Sequence, residues 1–267
     1  MLDFHSLYSM KGRTALITGA SGNLGFQIAE TLADLGAHII LTDVEKKALL
    51  SCEEKLNIKH GPNFTAILSD LEDEKSRDDL IRDVLQKNKS LDVLVNCAAF
   101  VGTSSLPGWL GSLENQSLAT WRRALEVNLT APFHLAKGLA SSLKASGKGT
   151  IINIVSIYGE LGPDWSLYEG TELGNPAAYS ASKGGLIQIT RWLATTLAPH
   201  IRVNAISPGG IFRNQPEVFV GKYSSRTPLM RMATEKDLSG VIGFLASDAS
   251  SYVTGQIFRV DGGWSIW

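Results

Sequence analysis

Short apolar runs recur along this 267-residue chain, separated by longer amphipathic stretches, and that alternation narrows the possible folds more than any other feature. Thr14 to Thr18 (TALIT), His38 to Thr42 (HIILT), Phe64 to Leu68 (FTAIL), Leu91 to Val95 (LDVLV), Thr150 to Val155 (TIINIV) and Ile201 to Ile206 (IRVNAI) read as strands, with Gln256 to Val260 (QIFRV) as a last edge strand. Each is rich in Ile, Val and Leu on both faces, as strands covered by helices on both sides must be. Helices are predicted over 24–35, 45–57, 73–88, 118–145, 176–198 and 235–247. Strand–helix alternation from end to end implies right-handed crossovers and one doubly wound parallel α/β sheet. No Pro/Gly/Ser linker, charge run or internal repeat divides the chain, so residues 1–267 are read as a single domain.

Composition removes several classes of function. A formal charge of −1 gives no reason to expect nucleic acid or an anionic membrane as partner. Cys52 and Cys97 are too few for a disulfide framework, and the five histidines never form an HxxxH pair, so no metal site is expected. Cys97 lies in an apolar run and reads as a buried, inert thiol. The N-terminus does not read as a signal peptide, and no apolar run approaches the ~20 residues that span a bilayer. The expected location is the cytoplasm.

A glycine-rich stretch, Thr18-Gly19-Ala20-Ser21-Gly22-Asn23-Leu24-Gly25, follows the first strand and opens a helix. Glycines there allow a tight turn and close approach to a pyrophosphate, whose charge is favoured at a helix N-terminus. Asp43, at the end of the second strand, can accept both ribose hydroxyls of NAD and would repel the 2′-phosphate of NADP. NAD is therefore expected over NADP; Lys46 and Lys47 are the counter-argument, although a solvated helix face explains them equally well. Asp70-Leu71 and Asn96-Cys97-Ala98-Ala99 sit at the ends of the third and fourth strands, along the crevice where such sheets bind ligands. Asp70 either bonds the adenine amino group or caps the following helix.

Tyr179-Ser180-Ala181-Ser182-Lys183 follows Asn175, a plausible N-cap, and Pro176 at the first helical position. Four-residue spacing puts Tyr179 and Lys183 on one helical face. A phenol is a poor base at neutral pH, and a neighbouring ammonium together with a positively charged nicotinamide favours the phenolate. Such pairs are common on helix surfaces; Ser156 and Asn128 give this one a context. Ser156 ends the fifth strand at the same sheet edge, where its hydroxyl can donate to a substrate oxygen. Asn128 interrupts an apolar helical segment, where its amide is expected to hold a water linking Lys183 to solvent.

Taken together, TGxxGxxG, the strand-two Asp, NxAx, VN, the strand-five Ser, YxxxK and Pro208-Gly209 occur in order over nearly the whole chain. In these motifs the chain resembles the short-chain dehydrogenase/reductase family, "classical" subdivision. The resemblance implies a seven-stranded Rossmann-type sheet in the order 3-2-1-4-5-6-7 and a homotetramer. It implies Tyr179 as general acid/base, Lys183 as its pKa modifier and ribose ligand, Ser156 as donor to the substrate oxygen and Asn128 as proton-relay anchor. Gly19, Ser21, Asn23, Leu24, Asp43, Asp70, Leu71, Asn96, Ala98, Pro208, Gly209 and Ile211 would lie along the cofactor. Asn23 stands where the family has a glycine and is expected to tolerate a left-handed φ. Arg213 stands where the family commonly has Thr.

The substrate is read from loops at about 99–117, 157–175 and 211–234. They carry Trp109, Glu114, Asn115, Asp164, Trp165, Tyr168, Glu169, Thr171 and Glu172, aromatic faces and polar groups that suit a polyol better than an acyl chain. The chain also resembles family members acting on sugars and sugar acids, including those of bacterial nonulosonate or surface-glycan pathways. Trp165, Tyr168 and Arg213 are the expected substrate contacts, Arg213 with a carboxylate or phosphate. The expected activity is NAD(H)-dependent interconversion of a secondary alcohol and a ketone. The alternatives are a 3-oxoacyl reductase and a non-catalytic dinucleotide-binding sensor. Residues 211–234 read as a mobile lid, and the aromatic C-terminal segment as a surface covered by another subunit.

Overall fold

A computed structural model describes residues 3–87, 90–101 and 106–267. Residue 88 of the predicted helix 73–88 and residues 102–105 of the 99–117 loop lie outside the described residues. In chain order the elements are α1 (Phe4–Tyr8), β1 (Thr14–Thr18), α2 (Asn23–Asp34), β2 (His38–Asp43), α3 (Lys46–His60), β3 (Phe64–Leu68), α4 (Glu74–Lys87) and β4 (Val93–Asn96). They continue as α5 (Leu118–Leu125), α6 (Ala131–Ala145), β5 (Gly149–Ile154), α7 (Ala177–Leu197), β6 (Ile201–Pro208), α8 (Glu217–Arg226), α9 (Ser239–Ala246) and β7 (Ile257–Val260). The strands form one parallel sheet in the order β3-β2-β1-β4-β5-β6-β7.

Strand alternation divides the core into two layers. Ala15 and Ile17 of β1 join Leu24, Ile28 and Leu32 of α2 and Ile242 and Leu245 of α9 on one face. Between them, Leu16 turns to Leu80 and Val84 of α4 and Leu135 and Leu139 of α6 on the other. Leu16 and Ile17 are fully buried, each worth about 1.5–3 kcal/mol of apolar transfer. Leu24, Ile28 and Leu32 recur every four residues, which places them on one stripe of α2.

Two predicted elements differ in form. The helix expected over 118–145 is broken into α5 and α6 by a π-helical turn, Glu126–Thr130. Pro132, at the start of α6, has no N–H to bond the carbonyl of residue 128, so the regular ladder cannot run through. The 211–234 segment, read as a lid for its helix breakers, contains the ten-residue α8, with Phe219 and Tyr223 buried.

Candidate active site

A cavity of about 1060 Å³ runs along the C-terminal ends of the strands, from Asp43 past the glycine loop to Tyr179. At its β1 end Gly19 takes a φ of 65°, and a Cβ there would stand 2.7 Å from the Cα of Ala98. A Cβ on Gly25 would stand 2.1 Å from the Gly19 carbonyl oxygen. Gly22 is less constrained: its φ is −73° and its Cβ would meet nothing nearer than 3.3 Å. Asn23 simply opens α2, and the non-glycine residues with positive φ among those described are Asn214 and Met230. The left-handed conformation expected at Asn23 is thus not used. As N-cap, Gly22 supplies no side-chain acceptor, leaving the first-turn amides of α2 uncapped beside the cleft.

The carboxylate of Asp43 accepts from the Ser21 amide (3.0 Å) and hydroxyl (2.5 Å) through Oδ2, and from Val44 N (2.8 Å) through Oδ1. Ser21, Leu24, Asp43, Asp70, Leu71 and Ala98 all line the cleft, whereas Lys46 and Lys47 do not. Asp70 Oδ1 accepts from Glu72 N (2.9 Å), while Asp73 accepts from Ser76 N (3.1 Å) at the start of α4. The helix-capping alternative for Asp70 therefore belongs to Asp73. Asn96 does not line the cleft: its Nδ2 donates to Asn153 Oδ1 (2.8 Å), tying β4 to β5. Thr18 was missed by sequence reasoning, yet its Oγ1 accepts from both Cys97 N and Ala98 N at 3.0 Å and holds that turn against β1. Buried Arg77 was missed too; it donates to Leu71 O (2.6 Å) and His134 Nδ1 (3.1 Å) and pairs with Glu126 (2.6 Å).

At the other end Ser156, Tyr179 and Lys183 line the same cavity with Pro208, Gly209, Ile211 and Arg213. Lys183 Nζ donates to Ile154 O (2.7 Å) and lies 5.8 Å from the Tyr179 ring centroid. Burial lowers its pKa from the ordinary 10.5 to about 8. Burial likewise pushes the Tyr179 phenol above the usual tyrosine range, opposed by a hydrogen bond from Ser156 and the positive charge of Arg213. The ammonium expected to draw that phenol down is not among the opposing groups in the protein alone. Cys97 is half-buried and its thiol is pushed up to about 12, by burial first, so it is unreactive as a nucleophile.

The carboxamide of Asn128 joins two elements. Oδ1 accepts from Phe100 N (2.6 Å), and Nδ2 donates to Phe100 O (3.2 Å) and Ser182 Oγ (3.0 Å). It fastens the loop after β4 to α7, with one lone pair of Oδ1 left over. The start of α7 also differs from expectation: Pro176 is the N-cap, and the amide of Ala177 donates to Gln116 Oε1 (2.9 Å), with Asn175 one residue upstream. Arg213 sits at the cavity rim with Nε on Glu235 (3.1 Å).

The substrate-side wall is aromatic. Tyr158, Phe219, Tyr223 and Met232 line the cavity, backed by Trp264, which is 1% exposed and stacks on Tyr223 at a centroid distance of 5.7 Å. Arg226 lies over the Trp264 ring (4.5 Å) and pairs with Asp164. Trp264 is therefore covered by its own chain, not by a neighbour as expected, while Ile266 and Trp267 stay exposed. Trp165 and Tyr168 do not line the large cavity. Tyr168 instead donates its hydroxyl to Tyr158 Oη (2.7 Å), and Trp165 lines a smaller adjoining hollow. Tyr158 was not foreseen, although it stands two residues after Ser156, a spacing that would have marked it.

Among the described residues no helix is long and apolar enough to cross a membrane, and no group of three His, Cys, Asp or Glu side chains is placed to hold a metal.

A family model described as enoyl-(acyl carrier protein) reductase matches residues 19–265. The chain belongs to the short-chain dehydrogenase/reductase family. It is 30% identical to a galactitol 2-dehydrogenase (L-tagatose-forming) of Cereibacter sphaeroides, over the whole of both chains. Among solved structures it resembles a short-chain dehydrogenase from Leptospira borgpetersenii with bound NAD+, at 33% identity and a TM-score of 0.84, covering 99% of this chain and 96% of that one. It also resembles a gluconate 5-dehydrogenase from Burkholderia cenocepacia in complex with NADP and tartrate, at 26% identity and a TM-score of 0.87, covering 99% and 100%. This short-chain dehydrogenase/reductase is accordingly an NAD(P)-family oxidoreductase acting on CH–OH groups and the corresponding carbonyls.

Proposed function

We propose that the enzyme interconverts a secondary alcohol and its ketone on a carbohydrate-like or sugar-acid substrate, with NAD(H) as the redox partner. The observation that carries this reading is one continuous cavity with Asp43 at one end and Tyr179, Ser156 and Lys183 at the other. The cleft fits a dinucleotide: the uncapped N-terminus of α2 faces it, and Gly19 and Gly25 keep the loop before that helix tight where a Cβ would collide with Ala98 and with the Gly19 carbonyl. Gly19, Ser21, Asn23 and Leu24 would hold its pyrophosphate and adjoining ribose, Asp70, Leu71 and Ala98 its adenine, and Pro208, Gly209 and Ile211 its nicotinamide. Asp43, with Lys46 and Lys47 outside the cleft lining, would receive the adenosine ribose and disfavour a 2′-phosphate.

When bound, the nicotinamide supplies the hydride acceptor or donor. Tyr179 transfers the proton at the reacting oxygen, and Ser156 donates a hydrogen bond to that same oxygen. Below about pH 8 Lys183 carries a positive charge, and its remaining N–H groups are available to a ribose hydroxyl. Tyr179 starts above its ordinary range, so in oxidation the arriving positive charge of the oxidised cofactor must favour its phenolate, with Arg213 contributing from the rim. Asn128 positions α7, and with it Lys183, through Ser182. Phe133 and Trp192, exposed on α6 and α7 with rings 6.4 Å apart, support the homotetramer that the resemblance implies.

A panel of polyols, aldonates and 3-oxoacyl thioesters, offered with NAD and NADP, tests the reading. Polyols or aldonates with NAD should be the best pair, and Tyr179→Phe should lower kcat by about 10²- to 10⁴-fold while NADH still binds. Normal turnover by that variant, or preferred turnover of the thioesters with NADPH, would replace this mechanism or substrate class. Light scattering on the same preparation is expected to give a tetramer.

A further inference from the structure

Beside the large cavity lies a hollow of about 280 Å³, lined by Leu110, Gly111 and Gln116 on one side and by the loop from Trp165 to Asn175 on the other. The two spaces share Leu110, Leu173, Gly174 and Asn175 in their walls, so they lie next to each other. Some of the polar groups here are already committed. Gln116 Oε1 accepts from Ala177 N (2.9 Å), and Thr171 Oγ1 donates to Tyr168 O (2.8 Å).

Asn175 is not fully committed. The residue is only 7% exposed and its Oδ1 accepts from Ser180 Oγ (3.2 Å), yet Nδ2 is buried with no partner among the described residues. A buried donor left unmade is expensive, and Asn175 has no helix-capping duty to excuse it. Glu172, exposed in the same hollow, has no hydrogen-bond or ionic partner among the described residues. Trp165 is 58% exposed at a loop tip, its indole backed by Tyr168 at a centroid distance of 5.9 Å. An aromatic plane, an amide donor and a carboxylate acceptor are the three groups a sugar ring needs. Its C–H face packs on the ring, one hydroxyl oxygen accepts from the amide, and another hydroxyl donates to the carboxylate.

We infer that this hollow is a subsite for a hydroxylated ring, so that the substrate is a glycosylated polyol whose reacting carbon reaches Tyr179 while the attached sugar lies against Trp165, Asn175 and Glu172. The inference rests on the carbohydrate reading above and gives it a size. Tyr168 then serves two neighbours: its ring supports Trp165, and its hydroxyl holds Tyr158 in the wall of the reacting chamber.

Oxidation of glucitol is compared with that of its glycosylated forms maltitol, isomaltitol and lactitol, using NAD and the full-length enzyme. At least one glycosylated alditol should exceed glucitol by about ten-fold in kcat/KM, with the gain in KM rather than kcat. Trp165→Ala, a change at an exposed loop position that leaves the core untouched, should erase most of that ratio, and Glu172→Gln should reduce it by about three-fold. Calorimetric titration of the same alditols into the enzyme–NADH complex should rank them identically without turnover. Equal use of glucitol and its glycosylated forms, or a ratio unchanged in Trp165→Ala, overturns the subsite and leaves Asn175 as a structural amide. If neither the alditols nor the aldonates of the earlier panel are oxidised, the carbohydrate reading fails on its own. The titration still decides the subsite, and absence of tighter binding by the glycosylated alditols overturns it.

Discussion

Along the cofactor side of the cleft the lining is main chain and short side chains at strand ends, each held by a residue near in sequence or on the next strand. Asp43 is fixed by Ser21 and Val44, and the Ala98 turn by Thr18. Along the substrate side the lining is large rings, Tyr158, Phe219 and Tyr223, backed by Tyr168 and Trp264 and gathered from four separate stretches of chain. The first side is specified by local geometry, where a single atom is enough to spoil the fit. The second is specified by mutual packing, where losing one ring loosens its neighbours. Damage should therefore stay on the side where it is made.

The largest effect is expected at the ring cluster. Trp264→Ala removes a fully buried indole and the surface beneath Arg226, and should cost about 3–5 kcal/mol in denaturant unfolding. If the two sides are as separate as their construction implies, NADH affinity, read by fluorescence titration, should change little while substrate KM rises. Parallel loss of both would break the comparison.

The converse experiment is smaller in energy and sharper in location. Gly25→Ala puts a methyl against a carbonyl oxygen, a clash at the upper end of the overpacking range, about 2–3 kcal/mol, or about 30- to 150-fold if the whole of it falls on NADH affinity. Gly22→Ala, three residues earlier, should lose no more than about five-fold, the scale of a changed N-cap residue. Equal losses would mean that the loop responds to composition and not to the two close approaches.

The smallest effect lies at the seam, where Lys183 joins both sides. Its pKa is about 8 when folded and 10.5 ordinarily, so between those values the unfolded chain holds a proton that the folded chain has released. Stability contributed by this group then rises with pH across that window, because the unfolded state binds more protons there. Relative to Lys183→Met, the wild type should gain on the order of 1–2 kcal/mol between pH 8 and 10.5 in denaturant midpoints. A flat difference would mean that the ammonium is better solvated than its position between Ile154 and Tyr179 implies.

The same contrast explains what could be read in advance. Strand-by-strand periodicity located all seven strands, because residues such as Leu16 and Ile17 must face opposite layers and only apolar side chains can, while their order came from the family resemblance of the motifs. The close grouping of Ser156, Tyr179 and Lys183 was legible because sheet-end position and helical spacing are local quantities. Pairing partners were not. Nothing near Asn96 in the sequence announces Asn153, and nothing near Asn128 announces Phe100 or Ser182. Trp264 looked exposed because its cover, Tyr223 and Arg226, lies in a segment whose breakers hid a helix. Trp165 and Tyr168 were marked by chemistry alone, and packing assigned one to a side hollow and the other to a supporting role.

Trp264 also sets a timetable. Chains emerge from the ribosome N-terminus first, so β1 to β4 and the glycine loop are available to assemble long before residue 264 has been translated. Until that indole arrives, Tyr223 and Arg226 lack the ring that lies between them, and the wall they form is left without its backing. The nascent enzyme would acquire its grip on a dinucleotide early and its discrimination among substrates only after residue 264 has been added.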